Sequence, residues 1–288
     1  MAYSASPRPT FERAAHIPYD SVARHLWGDA ASGQVADWIY VSNEHIHHIV
    51  FALPPRGWFR HSDSYRTIFG ADVTYTVLSG VMVLANPQTG EVHRVLAGET
   101  AFFRRDTWHH AFNYSDEPLR VCEFFSPPPS TGTSGVYARQ QPYLNESDSK
   151  YTRDEWLGQL PMQAEAMQAT NTIRVIRDTD LAWRLAGCQN PVLTGLIVAT
   201  EHLTLGKLHL LPGQHGDAET HGGDESIYVL EGTLNVQIND GQRPNWFEVK
   251  AGDACYIPTG VAHEYWNITG QPVKALFGVA PKYLSEQK

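Results

Sequence analysis

Apolar residues fall in short runs rich in Val, Ile, Leu, Phe and Tyr, and turn-forming clusters such as "NPQTG", "NDGQ", "AGD" and "SDEP" break the runs at close intervals. That pattern predicts antiparallel strands in a sandwich or small barrel. The pattern also runs twice. "WIYVSNEHIHHIVFALPPRG" (Trp38 to Gly57) reads against "GLIVATEHLTLGKLHLLPGQ" (Gly195 to Gln214), "VLSGVMVL" against "VLEGTLNV", and "AGETAFFRRDTWHHAFN" against "AGDACYIPTGVAHEYWN". Order and spacing are nearly kept, so the chain reads as two copies of one domain. Between them, "SPPPSTGTSGVYARQQPYLNESDSKYT" has the composition of a linker, and "RDEWLGQLPMQAEAMQ" (Arg153 to Gln168) is the one helical stretch, kinked or broken at Pro161. The expected division is residues 1–126, a linker with a short helix over 127–170, and residues 171–288.

Composition narrows the classes. With 288 residues and 42 % hydrophobic content the chain can bury two cores. Its net charge of -9, with no lysine or arginine cluster, argues against nucleic acid as a partner. The start "MAYSASPRPTFERAAH" is polar and no segment has the length to span a bilayer, so no membrane partner and a cytoplasmic location are expected. Cys122, Cys188 and Cys255 are widely spaced, which fits a reducing compartment and small core residues better than disulfides. Among 14 histidines, His45, His47 and His48 sit in an apolar strand-like run and read as core or interface residues.

The stretch "HGDAETHGGDESIYVLEG" (His215 to Gly232) carries the chemistry. Side chains two apart share a face of a strand, so Glu219, His221 and Glu225 can converge if the glycine-rich turn between them preserves the alternation. In "GDACYIPTGVAHEYWN" (Gly252 to Asn267), a Pro-x-Gly turn precedes His263, Tyr265 and Asn267 at alternate positions, and an antiparallel barrel brings His263 opposite the first three. These side chains read either as a metal site or as a polar rim. Two carboxylates converging inside a barrel repel each other and lose hydration unless a cation joins them or one keeps its proton. Exposure at the barrel mouth would remove that cost. Four suitable side chains at coordinated spacing favour the metal.

These residues resemble the cupins. Their first motif, G-x5-H-x-H-x3-E-x6-G, is met at Gly213, Glu219, His221, Glu225 and Gly232, with glutamate in place of the first histidine. Their second, G-x5-P-x-G-x2-H-x3-N, is met at Gly252, Pro258, Gly260, His263 and Asn267. With the degenerate first copy, the chain looks like a bicupin: an all-β protein of two tandem jelly-roll barrels. The resemblance implies Glu219, His221, Glu225 and His263 as ligands of a divalent ion, and two imidazoles with two carboxylates suit Mn, Fe or Zn. Glu219 could ligate or act as a base beside the ion. His215 is a rival first ligand of the same parity. The N-terminal copy keeps Gly98, His109 and Asn113 but has Arg104 and Asp106 for proline and glycine, and offers only His61, Asp63 and Asp72 at altered spacing, so no complete second site is expected. Pairing through sheet edges or exchanged strands makes a homodimer the default for such a fold.

Fold does not decide reaction. One reading is an isomerase, lyase or hydrolase in which the ion is a Lewis acid on a small oxygen-rich substrate, with Glu219 and Tyr265 as catalytic groups. A second is an Fe(II) dioxygenase cleaving a phenolic or diketone substrate. A third is a binding barrel without catalysis. The extra hard anionic ligand favours the first. The ureidoglycine aminohydrolases are similar in outline, single-site bicupins with glutamate as first ligand. Their later ligands are His and Gln where this chain has Glu225 and His263, so their activity is not carried over. Lys207 and His209 alternate toward one face and could line the pocket; Trp246, Tyr256 and Trp266 are expected to pack the barrel.

Overall fold

In the strand Asp224–Glu231, residues Ile227 and Val229 point to one apolar cluster while Tyr228 points to another, so the strand is buried on both faces. The same holds for Val273–Ala280 and, in the first half of the chain, for Leu119–Ser126. This is why these segments read as near-continuous apolar runs rather than a clean alternation. The computed structural model describes residues 6–127, 136–145, 169 and 171–285.

Each half is a barrel of a large and a small antiparallel sheet. In the C-terminal barrel the large sheet runs Ala15–Ile17, Ala254–Ile257, Asp224–Glu231, Val273–Ala280, Thr204–Leu210, Val192–Ala199, Ala182–Ala186, and the small one Trp246–Lys250, Thr233–Ile238, His263–Trp266. In the N-terminal barrel they run Ile173–Ile176, Thr100–Phe103, Asp72–Ser79, Leu119–Ser126, His47–Leu53, Gly33–Ser42, Ala23–Asp29, and Trp58–Phe59, His110–Asn113, Val81–Ala85, Val92–Leu96. The core of each barrel lies between its two sheets. The expected two-barrel, all-β architecture is therefore present. A short helix, Val136–Gln140, lies in the connecting region, and the helix expected over Arg153 to Gln168 falls outside the described residues. Among the described residues no helix is long and apolar enough to cross a membrane.

The barrels exchange strands. Ala15–Ile17 pairs with Ala254–Ile257 in the C-terminal sheet, and Ile173–Ile176 pairs with Thr100–Phe103 in the N-terminal one. Boundaries drawn at 126 and 171 thus place both short strands in the wrong barrel. The physical reason is edge protection: each exchanged strand covers the exposed edge of the other barrel's large sheet. A third apolar cluster joins the halves through Tyr40, Val50, Cys122 and Phe124 on one side and Leu205, Tyr228, Tyr256 and Leu276 on the other. His48 is stacked between Tyr40 and Phe124, at centroid distances of 4.9 and 4.2 Å, and its Nδ1 meets Ser226 Oγ at 2.8 Å. Burial pushes its pKa well down, so the ring is neutral. His47 and His48 are packing histidines, as their apolar surroundings predict, while His45 is exposed.

The N-terminal core holds two carboxyls. Asp37 lies on the inward face with Val35 and Ile39, and Glu123 lies between Val121 and Phe125; both are buried, and Glu123 Oε1 has no hydrogen-bond partner. Burial pushes both pKa values well up, and for Glu123 the neighbouring Asp37 adds to the shift. A raised carboxyl contributes stability that is fully present below the unfolded pKa, about 4, and is lost as pH rises toward the folded value. Glu123→Gln, which cannot ionise, should raise the melting temperature by about 2 °C or more at pH 8 and by less at pH 4.5. Thermal unfolding of both proteins at the two pH values checks this; an equal difference at both would show that Glu123 does not titrate in the fold.

Candidate metal centre

The backbone brings the opposing ribbons together first. Glu219 N donates to His263 O at 2.9 Å and His263 N to Glu219 O at 3.0 Å, an isolated antiparallel bridge that fixes both side chains on one side. Gly260 N donates to His221 O at 3.0 Å, holding the Pro258–Gly260 turn against the ligand loop. Glu225 sits in the large sheet opposite Ile257 and Val279. Between His221 and Glu225 the chain passes close to the C-terminal segment: a Cβ on Gly223 would lie 2.3 Å from the Ala280 carbonyl, and one on Gly222 2.6 Å from Leu284 O. Only glycine fits there.

All four expected ligands converge. Glu225 Oε2 lies 3.3 Å from His221 Nε2 and 3.0 Å from His263 Nε2, and the two oxygens of Glu219 lie 4.0 Å from the same nitrogens. Donor atoms bound 2.0–2.2 Å from one ion stand about 3 to 4.4 Å apart, so these spacings suit a shared cation. Glu219, His221 and His263 alone each place one donor atom within 4.8 Å of the other two. His221 Nδ1 faces Tyr283 O at 2.9 Å and His263 Nδ1 faces Val261 O at 3.1 Å. A carbonyl only accepts, so each Nδ1 carries a proton, and each Nε2, once deprotonated, presents a lone pair to the centre. His263 Nε2 and Glu225 Oε2 are buried yet have no hydrogen-bond partner despite their approach. Two electron-rich atoms left unpaired at one buried point are what a cation there would satisfy.

Charge is arranged accordingly. Burial opposes charging the His221 ring, but Glu225 and then Glu219 outweigh it and raise its pKa to about 9; His263 is raised in the same way. For Glu225 burial favours the acid, and the two imidazoles overcome it and hold the carboxyl well below its usual range. Glu219 goes the other way, raised by burial and by the charge of Glu225. The 2 % exposed Glu225 is thus shifted toward its ionised form, and of the two carboxyls the 35 % exposed Glu219 is the one shifted toward its protonated form.

The cluster forms the floor of a cavity of about 260 Å³ whose walls include Thr194, Leu208, Tyr265, Phe277 and Tyr283. Tyr265 is buried, its hydroxyl has no hydrogen-bond partner, and burial with the charges of Glu225 and Glu219 pushes its pKa well up, so it remains a donor. At the mouth, the Asp217 carboxylate accepts from the backbone N–H groups of Cys188, Gln189 and Asn190 at 2.6 to 2.9 Å and so fixes that turn.

Other expectations fare differently. His215 is stacked on Trp266 with centroids 4.0 Å apart, and it does not line the cavity. Lys207 turns to the other barrel, donating to Gly98 O at 3.1 Å and pairing with Asp178, and His209 packs on Trp183; on their strand it is Leu208 that faces the cavity. Tyr256 packs between the barrels, whereas Trp246 is 41 % exposed at the rim. Two contributors escaped the sequence pattern. The Tyr283 carbonyl orients His221, and nothing in a C-terminal tyrosine advertises that. Asp224 accepts from Tyr256 Oη, Thr259 N, Thr259 Oγ1 and Asn43 Nδ2 at 2.7 to 2.9 Å, tying the ligand strand to the turn and to the other barrel. The acidic pair at 224 and 225 was its only signal.

The N-terminal barrel repeats the bridges without the chemistry. His109 N donates to Thr67 O and Asp106 N to Phe69 O, as His263 and Gly260 do to Glu219 and His221. Val73 stands opposite Phe103 and Phe125 where Glu225 stands opposite Ile257 and Val279. The four ligand positions are therefore Thr67, Phe69, Val73 and His109. Phe69 stacks on His109 with centroids 5.2 Å apart, and burial lowers the pKa of His109 to about 4. His61 contacts His110 and Leu144 O, Asp72 pairs with Arg104 at 3.0 Å, and Asp63 is exposed, so the three remain apart from one another.

Residues 206–279 match the family model described as the cupin domain. No curated protein matches the chain by sequence. Among solved structures, the oxalate decarboxylase of Lactobacillus farciminis in complex with formate is similar at a TM-score of 0.62 and 14 % identity, covering 96 % of this chain and 89 % of that one. Protein Ylba from E. coli is similar at 0.62 and 12 %, covering 93 % and 90 %. AerE from Microcystis aeruginosa is similar at 0.59 and 10 %, covering 90 % and 97 %. These likenesses are of fold: two β-barrels in one chain.

Because His221 must lose its proton to ligate, metal affinity should rise as pH is raised toward about 9, by up to tenfold per unit. Competition with a chromogenic chelator between pH 6 and 9 measures this. The stoichiometry should be one ion per chain and unaffected by His109→Ala, since that histidine has no co-ligands.

Proposed function

We propose that the chain is a metal-dependent cupin enzyme whose C-terminal barrel acts on a small oxygen-rich metabolite by acid-base chemistry, as an isomerase, lyase or hydrolase. The observation that carries this reading is the buried pair of unpartnered atoms, Glu225 Oε2 and His263 Nε2, beside a second imidazole and a carboxyl that borders a cavity. A divalent ion held by Glu219, His221, Glu225 and His263 would supply Lewis acidity toward substrate oxygens. The rest of the chemistry belongs to side chains. Glu225, ionised and buried, keeps the centre anionic. The backbone carbonyls of Tyr283 and Val261 hold both imidazoles in one tautomer. Glu219, whose pKa is raised by burial and by the charge of Glu225, takes a proton from a bound substrate and returns it. Tyr265 donates its free hydroxyl to the oxyanion that develops, and Val192, Leu208 and Phe277 keep water from the reacting atoms.

His263→Ala should lower bound metal below one tenth of the parent's content, by plasma emission, with an unchanged circular dichroism spectrum. A variant that binds the ion as well as the parent would refute the coordination sphere. Glu219→Gln should keep the ion and slow turnover about 10²- to 10⁴-fold, the usual worth of a positioned acid-base group. Substrate is found by screening hydroxy and oxo acids against the loaded protein. Turnover that requires Fe(II) and consumes O2 would establish the dioxygenase reading instead.

A further inference from the structure

The cavity walls carry more information than the ligand cluster. Beyond the cluster and the two tyrosines, the walls include Val192, Leu208 and Phe277, all members of the barrel's apolar core, with Thr194 beside them and the turn around Cys188 and Asp217 completing the lining. Among the described residues no lysine or arginine lines it, and the one other ionisable carboxyl in the walls, Asp217, is anionic and bound to backbone N–H groups. Arg184 approaches the Tyr283 hydroxyl at 3.5 Å but is exposed and outside the walls.

The charge balance follows. Two carboxylates neutralise a divalent ion and the two imidazoles add nothing, so a bound monoanion is the most negative charge the centre carries without a partner. A dianion would bring a second charge between walls that, among the described residues, hold no lysine or arginine, with only the exposed Arg184 outside them to offset it. Volume points the same way. An apolar cavity of about 150 Å³ holds a benzene molecule, so the 260 Å³ here has room for a chelating head and a ring-sized apolar body. The sister barrel sharpens the contrast. At the register positions of Thr194 and Phe277 it carries Asp37 and Glu123, so the lack of a carboxyl at these two wall positions is particular to the barrel with the candidate ligands.

We propose that this site selects a substrate with one bidentate oxygen head, neutral or singly charged, attached to an apolar body about the size of a phenyl ring, and discriminates against small dianions such as oxalate. The proposal rests on the metal-dependent reading above. It is tested on the whole chain loaded with one equivalent of Mn(II), by calorimetry with benzohydroxamate, acetohydroxamate and oxalate, with metal content measured after each titration. Benzohydroxamate should bind at least tenfold more tightly than acetohydroxamate, which shares its head and lacks the ring, and at least tenfold more tightly than oxalate. Ala218→Arg, which adds a cation at an exposed wall position, should strengthen oxalate at least threefold and leave benzohydroxamate within threefold of the parent. A loaded protein that binds oxalate as tightly as benzohydroxamate, or both hydroxamates equally, overturns the proposal and leaves the metal reading intact. A protein that retains none of Mn(II), Fe(II) and Zn(II) overturns both.

Discussion

A carboxylate buried as deeply as Glu225 costs several kcal/mol in lost hydration unless positive charge or donors stand beside it. The C-terminal barrel is organised around that constraint. Its two nearest polar neighbours are imidazole nitrogens at 3.0 and 3.3 Å, and each ring is turned by a backbone carbonyl so that the free nitrogen faces the carboxylate. The carbonyl behind His221 belongs to the C-terminal segment, which reaches its place only because positions 222 and 223 lack side chains. A centre that attracts protons this strongly in the absence of an ion is also one that favours a cation when one is supplied, since both satisfy the same field.

The sister barrel shows that the fold does not need this arrangement. It keeps the cross-ribbon bridges at Thr67 and Phe69 and places phenylalanine and valine where the second and third ligands would stand. Aromatic stacking of Phe69 on His109 replaces electrostatics, and the histidine becomes a neutral core residue that accepts from Tyr75 Oη at 3.0 Å. One topology thus supports a charged centre in one copy and an apolar core in the other, which is why function must be read from the site.

Much of this was legible in the sequence because the cupin motifs couple backbone and chemistry. Gly213, Gly232, Gly252 and Gly260 all have positive φ, so the residues that shape the turns are the same ones that set the spacing between ligands. The family resemblance pointed to Glu219, His221, Glu225 and His263, and the fold brings these four side chains together. The strand exchange was not legible, because "AHI" at 15–17 and "IRVI" at 173–176 are too short to carry a pairing preference, and their partners lie at least 70 residues away in each case. The N-terminal copy, where no complete site was expected, offered His61, Asp63 and Asp72 by type but not by position. Chemical type suggested ligands, whereas the register assigns those positions to Thr67, Phe69 and Val73, which have no ligand chemistry to notice. Lys207 was misplaced by face: alternation says which residues share a side of a strand, and both sides of this strand are covered.

That double coverage gives the two barrels a mechanical relation. Along Asp224–Glu231, Glu225 faces the centre while Asp224 and Ser226 face the other barrel, where they meet Asn43 Nδ2 at 2.7 Å and His48 Nδ1 at 2.8 Å. The buried carboxylate is therefore flanked on both sides by interdomain hydrogen bonds within one residue of it. A strand held in this way cannot shift its register or tilt without breaking contacts on its rear face, and burial between packed layers keeps such movements small. The N-terminal barrel, which among the described residues brings no metal-ligating cluster together, thereby acts as the rigid backing that fixes the position of Glu225. Positioning to within a few tenths of an ångström is what a metal centre and a proton-transfer group both demand.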